Sequence, residues 1–147
     1  MKYLLFVSLI LVFACSQKEE KQAAEAEDDV EWKEMDEFHA VMAGVYHPLK
    51  DSSNLEPIKK DADDLSAAAT KWAQAKVPSK VDNDQTKEAL AHLEDGAKEL
   101  ATMVKDGATT DELIATKLTI LHDTFHSIME SWYKAGKEDG AEEHHDH

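Results

Sequence analysis

From Val30 onward, apolar residues recur at three- and four-residue steps, the period that lays one greasy face along a helix. Trp32, Met35, Phe38, Met42, Val45, Tyr46 and Leu49 trace the first such stripe. It predicts helix one over 30–49, closed by Pro48 and the polar run Asp51-Ser52-Ser53-Asn54. A second stripe, Ile58, Ala62, Leu65, Ala69 and Trp72, follows Pro57. Proline suits a first helical turn, where its missing N–H is not needed. Val77-Pro78-Ser79 ends helix two, and 79–84 read as a polar loop. Helix three is expected over 85–105, with Asp84 as its cap and Ala89, Leu93, Leu100 and Val104 inward. Gly107 is expected to end it in a left-handed turn. Thr109-Thr110-Asp111-Glu112 is a capping-box pattern that opens helix four. Ile114, Leu118, Leu121, Phe125, Ile128, Met129 and Trp132 line that helix, which is expected to stop at Ala135, before Gly136. Four amphipathic helices with short connections imply an all-α, antiparallel up-down-up-down four-helix bundle over 30–135. Helices one and four are then neighbours.

The first residues read differently. Met1-Lys2-Tyr3 precedes an apolar run from Leu4 to Ala14, then Cys15. A basic start and a short apolar core are the parts of a secretory signal peptide, assigned to 1–14. The run is about half of the ~20 residues that a membrane-spanning helix needs. Cys15 is the single cysteine, so no internal disulfide can form. Val12-Phe13-Ala14-Cys15 resembles the bacterial lipobox, which implies cleavage before Cys15 and lipid on its sulfur. Ser16-Gln17-Lys18-Glu19-Glu20-Lys21 resembles the acidic export signal of some surface lipoproteins; a plain charged tether over 15–29 reads equally well. The expected location is the cell envelope, as an outer-membrane lipoprotein facing periplasm or cell surface. The acyl chains would be the sole membrane contact. Residues 136–147 read as an acidic tail bearing His144, His145 and His147, either a loose metal-catching segment or a solvated terminus.

Composition narrows the partners. Thirty-one acidic against 16 basic residues give a formal charge of −15. Nucleic acid needs the opposite surface. An acidic surface suits cations or a basic partner, or simply solubility. No phosphate loop, nucleophile elbow or catalytic triad is present, so an enzyme is not expected. Related bundles often pair through their first two helices, so a homodimer is a further expectation.

The candidate chemistry lies on helices one and four. His39 follows Met35 by one turn, and His126 follows His122 by one turn, so each pair shares a helix face. With helix one over 30–49 and helix four over 111–135, His39 falls level with His122 and Met35 with His126. Four donors, His39, His122, His126 and Met35, could then converge on one ion. Imidazole suits zinc and copper, and a thioether adds preference for copper. His₃Met fits copper, and His₃ with water fits zinc. The plainer reading is that the histidines only pack at a core edge, with the methionines as filler. His92 and His47 are expected at the surface.

Leu118-x-x-Leu121-His122-x-x-Phe125-His126 resembles the haem-attachment helix of the cytochrome c-prime family, with leucines in place of its two cysteines. Met35-x-x-Phe38-His39-x-x-Met42 is similar to that family's first helix. The resemblance implies a four-helix bundle. Through the family's soluble b-type members it also implies non-covalent haem b with Met35 and His122 as axial ligands, and hence an electron carrier. Three readings stand: a copper or zinc binder for capture or buffering, a haem b carrier, or a ligand-free interaction lipoprotein.

Overall fold

The computed structural model describes residues 31–142, with side chains through Lys137. The signal peptide expected over 1–14, the lipidated Cys15 and tether expected over 15–29, and the tail histidines His144, His145 and His147 lie outside the described residues. The described chain forms four helices and no strand: α1 (Lys33–Ser52), α2 (Glu56–Gln74), α3 (Asp84–Lys105) and α4 (Asp111–Glu142). One 3₁₀ turn, Ser79–Val81, stands between α2 and α3. The fold is an all-α four-helix bundle.

Each helix turns its apolar stripe inward. Met35, Phe38, Met42 and Val45 of α1 meet Ile58, Leu65, Ala69 and Trp72 of α2. Leu90, Leu93, Ala97 and Leu100 of α3 meet Leu118, Leu121, Phe125 and Ile128 of α4. Fully burying such side chains is worth roughly 1.5–3 kcal/mol each, which is where a bundle gets its stability. Contacts between α1 and α4 run in opposite order along the chain. Trp32 meets Trp132 and Phe38 meets Phe125, so numbers rise along α1 as they fall along α4. Glu37 pairs with Lys71 between α1 and α2, Asp63 with Lys105 between α2 and α3, and Glu99 with Lys117 between α3 and α4. No helix among the described residues is long and apolar enough to cross a membrane.

The ends of the helices depart from expectation for identifiable reasons. α1 begins at Lys33, with Trp32 as its cap residue, and passes Pro48 to reach Ser52. Proline lacks the N–H that would bond one turn back, a loss small enough to bear near a helix end. Ser53 stops α1 by turning left-handed (φ 56°, ψ 26°). Its N–H then bonds the Leu49 carbonyl at 2.8 Å, and the Asn54 N–H bonds the Pro48 carbonyl at 3.0 Å. α3 is capped by Asn83 rather than Asp84: the Asn83 side-chain oxygen accepts the Thr86 N–H at 2.9 Å. Gly107 does not turn left-handed, and α3 ends instead on an extended Asp106 (φ −80°, ψ 103°). Gly136 does not stop α4, which continues to Glu142. Glycine ends a helix by adopting positive φ, and Gly136 does not. Within the expected polar loop, the 3₁₀ turn buries Val81 against the core.

Candidate metal centre

Between α1 and α4 lies a cavity of about 320 Å³. From α1 it is walled by His39, Met42, Tyr46, His47 and Lys50, and from α4 by His122 and His126. His39, Met42 and Tyr46 follow one another at three- and four-residue steps, so one face of α1 presents all three. His122 and His126 are one turn apart on α4 and half-buried. No carboxylate lines the cavity.

The two α4 imidazoles touch through their Nε2 atoms, 3.0 Å apart. One ring must hold its proton on Nε2 and donate it; the other must offer a lone pair. Tyr46 lies flat on His122, ring centres 3.7 Å apart and planes within 14°. His122 Nδ1 is buried and has no hydrogen-bond partner. The Asp123 carboxylate stands 3.5 Å from that nitrogen, near enough to attract charge. Burial pushes the His122 pKa below the ordinary imidazole value. The charge that His126 carries when protonated pushes it the same way, Asp123 opposes, and Lys50 adds a smaller push down. His122 is therefore a histidine held toward its neutral, ligand-competent form.

His39, His122 and His126 share the cavity wall, as expected, but their register differs from the one expected. His122 is level with Tyr46, and the His39 ring stacks on Phe125, 5.0 Å away, beside His126. The ring contacts set this register: His39 lies against Phe125 and Tyr46 against His122, and Met42, between them on α1, takes the place on the cavity wall expected of Met35. Met35 is 2 % exposed in the core and forms no part of the cavity wall. His39 itself is exposed and turned to Phe125 rather than to the His122–His126 pair. Among the described residues, no three His, Cys, Asp or Glu side chains are grouped to hold an ion. The expected convergence of four donors is reduced to a pair of nitrogens with further donors around it.

Sequence reasoning missed Met42 and Tyr46 as wall residues and placed His47 only at the surface. His47 is exposed, yet it stands on the cavity rim. Steps of three and seven from His39 lead to Met42 and Tyr46, so the signal that all three share a face was present in the sequence. His92 is exposed on α3, as expected.

The residues do not fit a haem held by Met35 and His122. Eleven residues separate Met35 from Tyr46, whose ring lies on His122, which is about 16 Å along the helix axis. Two axial ligands must instead face each other across one iron. Phe38, Trp72 and Phe125 fill the intervening interior, each no more than 1 % exposed. Leu118 and Leu121, which stand where the family's cysteines would be, are themselves core residues. Comparison with protein-family models, curated proteins and solved structures found no match for this chain.

Proposed function

We propose that this chain is a metal-binding module of the bacterial cell envelope, which captures or buffers a transition ion, copper or zinc, at the His122–His126 pair. Lipid on Cys15 would tether it to the membrane. The observation that carries the reading is the 3.0 Å separation of the two Nε2 atoms on a cavity wall. Two imidazole nitrogens about 2.0–2.1 Å from one tetrahedral ion stand about 3.3 Å apart. The pair is thus a few tenths of an ångström from a chelating geometry, and an ion replaces the proton the rings share. The lowered pKa of His122 supports the same reading, because a ligand must be deprotonated to bind. The absence of carboxylates from the cavity wall disfavours calcium and magnesium, which need oxygen donors. The net charge of −15 favours arrival of a cation.

The test is a competition titration of the metal-free chain with zinc(II) and, without oxygen, copper(I). His122→Ala and His126→Ala should each weaken binding at least tenfold, while His92→Ala on α3 should leave it unchanged. Bound metal should raise the melting temperature, since a ligand of the native state stabilises it by about 2.7 kcal/mol at a hundred times Kd. Unchanged affinity in His122→Ala would remove α4 from the site. Cys15→Ser should move the chain from the membrane fraction to the soluble fraction of cells.

A further inference from the structure

We infer that Met42 is the third donor of this site and that its preferred ion is copper(I). The inference rests on the metal reading of the His122–His126 pair and adds the ion's identity. Among the described residues no third His, Cys, Asp or Glu side chain is grouped with the pair, and the two other wall imidazoles are exposed, His39 being stacked on Phe125. Met42 is the cavity-wall residue that can supply a thioether donor. It stands between His39, at the level of His126, and Tyr46, whose ring covers His122. It is 0 % exposed to solvent, so a thioether at this place on the wall would meet an ion away from water.

Two properties of the wall select the ion. A thioether is a soft donor, suited to copper(I) and not among zinc's usual ligands. The charge balance agrees. Two neutral imidazoles and a thioether contribute no negative charge, no carboxylate lines the cavity, and Lys50 stands on its rim. A divalent ion would leave two positive charges in a half-buried place whose nearest carboxylate, Asp123, stands behind His122 and outside the wall; copper(I) leaves one. The cost of burying charge grows steeply with its size, so the monovalent ion is favoured. Tyr46 positions His122, since a ring lying flat at 3.7 Å limits rotation of the imidazole.

The full chain carrying Cys15→Ser, so that no thiol competes, should be titrated without oxygen against a chromophoric copper(I) chelator, and separately with zinc(II). Met42→Leu, which keeps volume and polarity close to those of methionine, should weaken copper(I) at least tenfold. Its zinc(II) affinity should change less than twofold. Met35→Leu should change neither. Copper K-edge X-ray absorption on the parent chain should show one sulfur neighbour, absent from Met42→Leu. Copper(I) bound with no sulfur neighbour, or with full affinity in Met42→Leu, would overturn the assignment of Met42 while leaving the histidine pair standing. Binding of neither ion by the parent chain would overturn the metal reading and this inference with it. The parent-chain spectrum decides the matter even if Met42→Leu does not fold.

Discussion

The seam between α1 and α4 has two ends built from the same helical period, and they differ in almost everything else. At one end Trp32 packs on Trp72 and Trp132 at 5.2 and 5.6 Å, and Phe38 packs on Trp72 and Phe125 at 5.4 and 5.6 Å. The indole N–H groups of Trp32 and Trp72 have no hydrogen-bond partner among the described residues. At the other end, rings of similar size, Tyr46, His39, His122 and His126, surround an open space. The aromatic end gains stability by excluding water. The histidine end holds two imidazole nitrogens 3.0 Å apart against an open space, which is the arrangement a ligand could use. Phe125 is the joint: it touches Phe38 and Trp72 on one side and His39 and His126 on the other.

The comparison breaks most sharply at that joint. Trp72→Ala removes the largest fully buried side chain and should cost about 3–5 kcal/mol in urea unfolding. Metal affinity of the chain that remains folded should hold within twofold. Phe125→Ala should cost a similar amount, about 3–5 kcal/mol, and also weaken metal binding several-fold, because His39 and His126 lose the ring they lean on. Equal metal affinity in both variants would mean that the two ends are not joined through Phe125.

A smaller effect separates two glycines. A Cβ on Gly96 of α3 would stand 2.7 Å from Leu121 Cδ2, and Leu121 is buried with little room to move. Gly96→Ala gains up to about 1 kcal/mol of helix propensity but should lose about 1–3 kcal/mol to overpacking, a net destabilisation. A Cβ on Gly44 of α1 meets nothing within 4 Å. Gly44→Ala should therefore stabilise by about 0.4–1 kcal/mol. Thermal unfolding of the two variants side by side checks both signs.

The aromatic end was legible in the sequence because burial imposes periodicity: Trp32, Phe38, Trp72, Phe125 and Trp132 all fall on stripes, and all are inside. Helix number and order followed from the same signal. The histidine end was legible only in part. His122 and His126 are paired through their own helix, and a four-residue step needs no knowledge of any boundary. Their partners on α1 depend on where that helix begins and ends. Pro48 reads as a stop, yet it costs only one hydrogen bond so near the end, and the true stop, a left-handed Ser53, has no strong sequence mark. Matching helix midpoints did not fix the register between α1 and α4, and Met35 stood in the place on the wall that Met42 takes. Gly107 and Gly136 misled for a related reason: glycine permits positive φ without requiring it.

The smallest effect is a pH window that sharpens the comparison without metal. Folded His122 has its pKa below the ordinary value, chiefly through burial and then through the charge on His126. In the unfolded chain the imidazole titrates near its ordinary value of about 6.5. Above that pH the group is neutral in both states, and its contribution to stability is fully present. As pH falls below about 6.5, the unfolded chain takes up the proton first, and stability is lost until the folded pKa is passed. The urea midpoint of the chelator-treated chain should therefore decline below about pH 6.5, and His122→Gln should reduce that decline. At the aromatic end Glu37 ionises below its ordinary value of 4.5, chiefly because it accepts a hydrogen bond from Lys71. Its contribution is present above pH 4.5 and is lost only as pH falls further, so the two ends titrate in separate windows. A midpoint that stays flat down to pH 5 would show that His122 is not held toward its neutral form, and would remove one support of the metal reading.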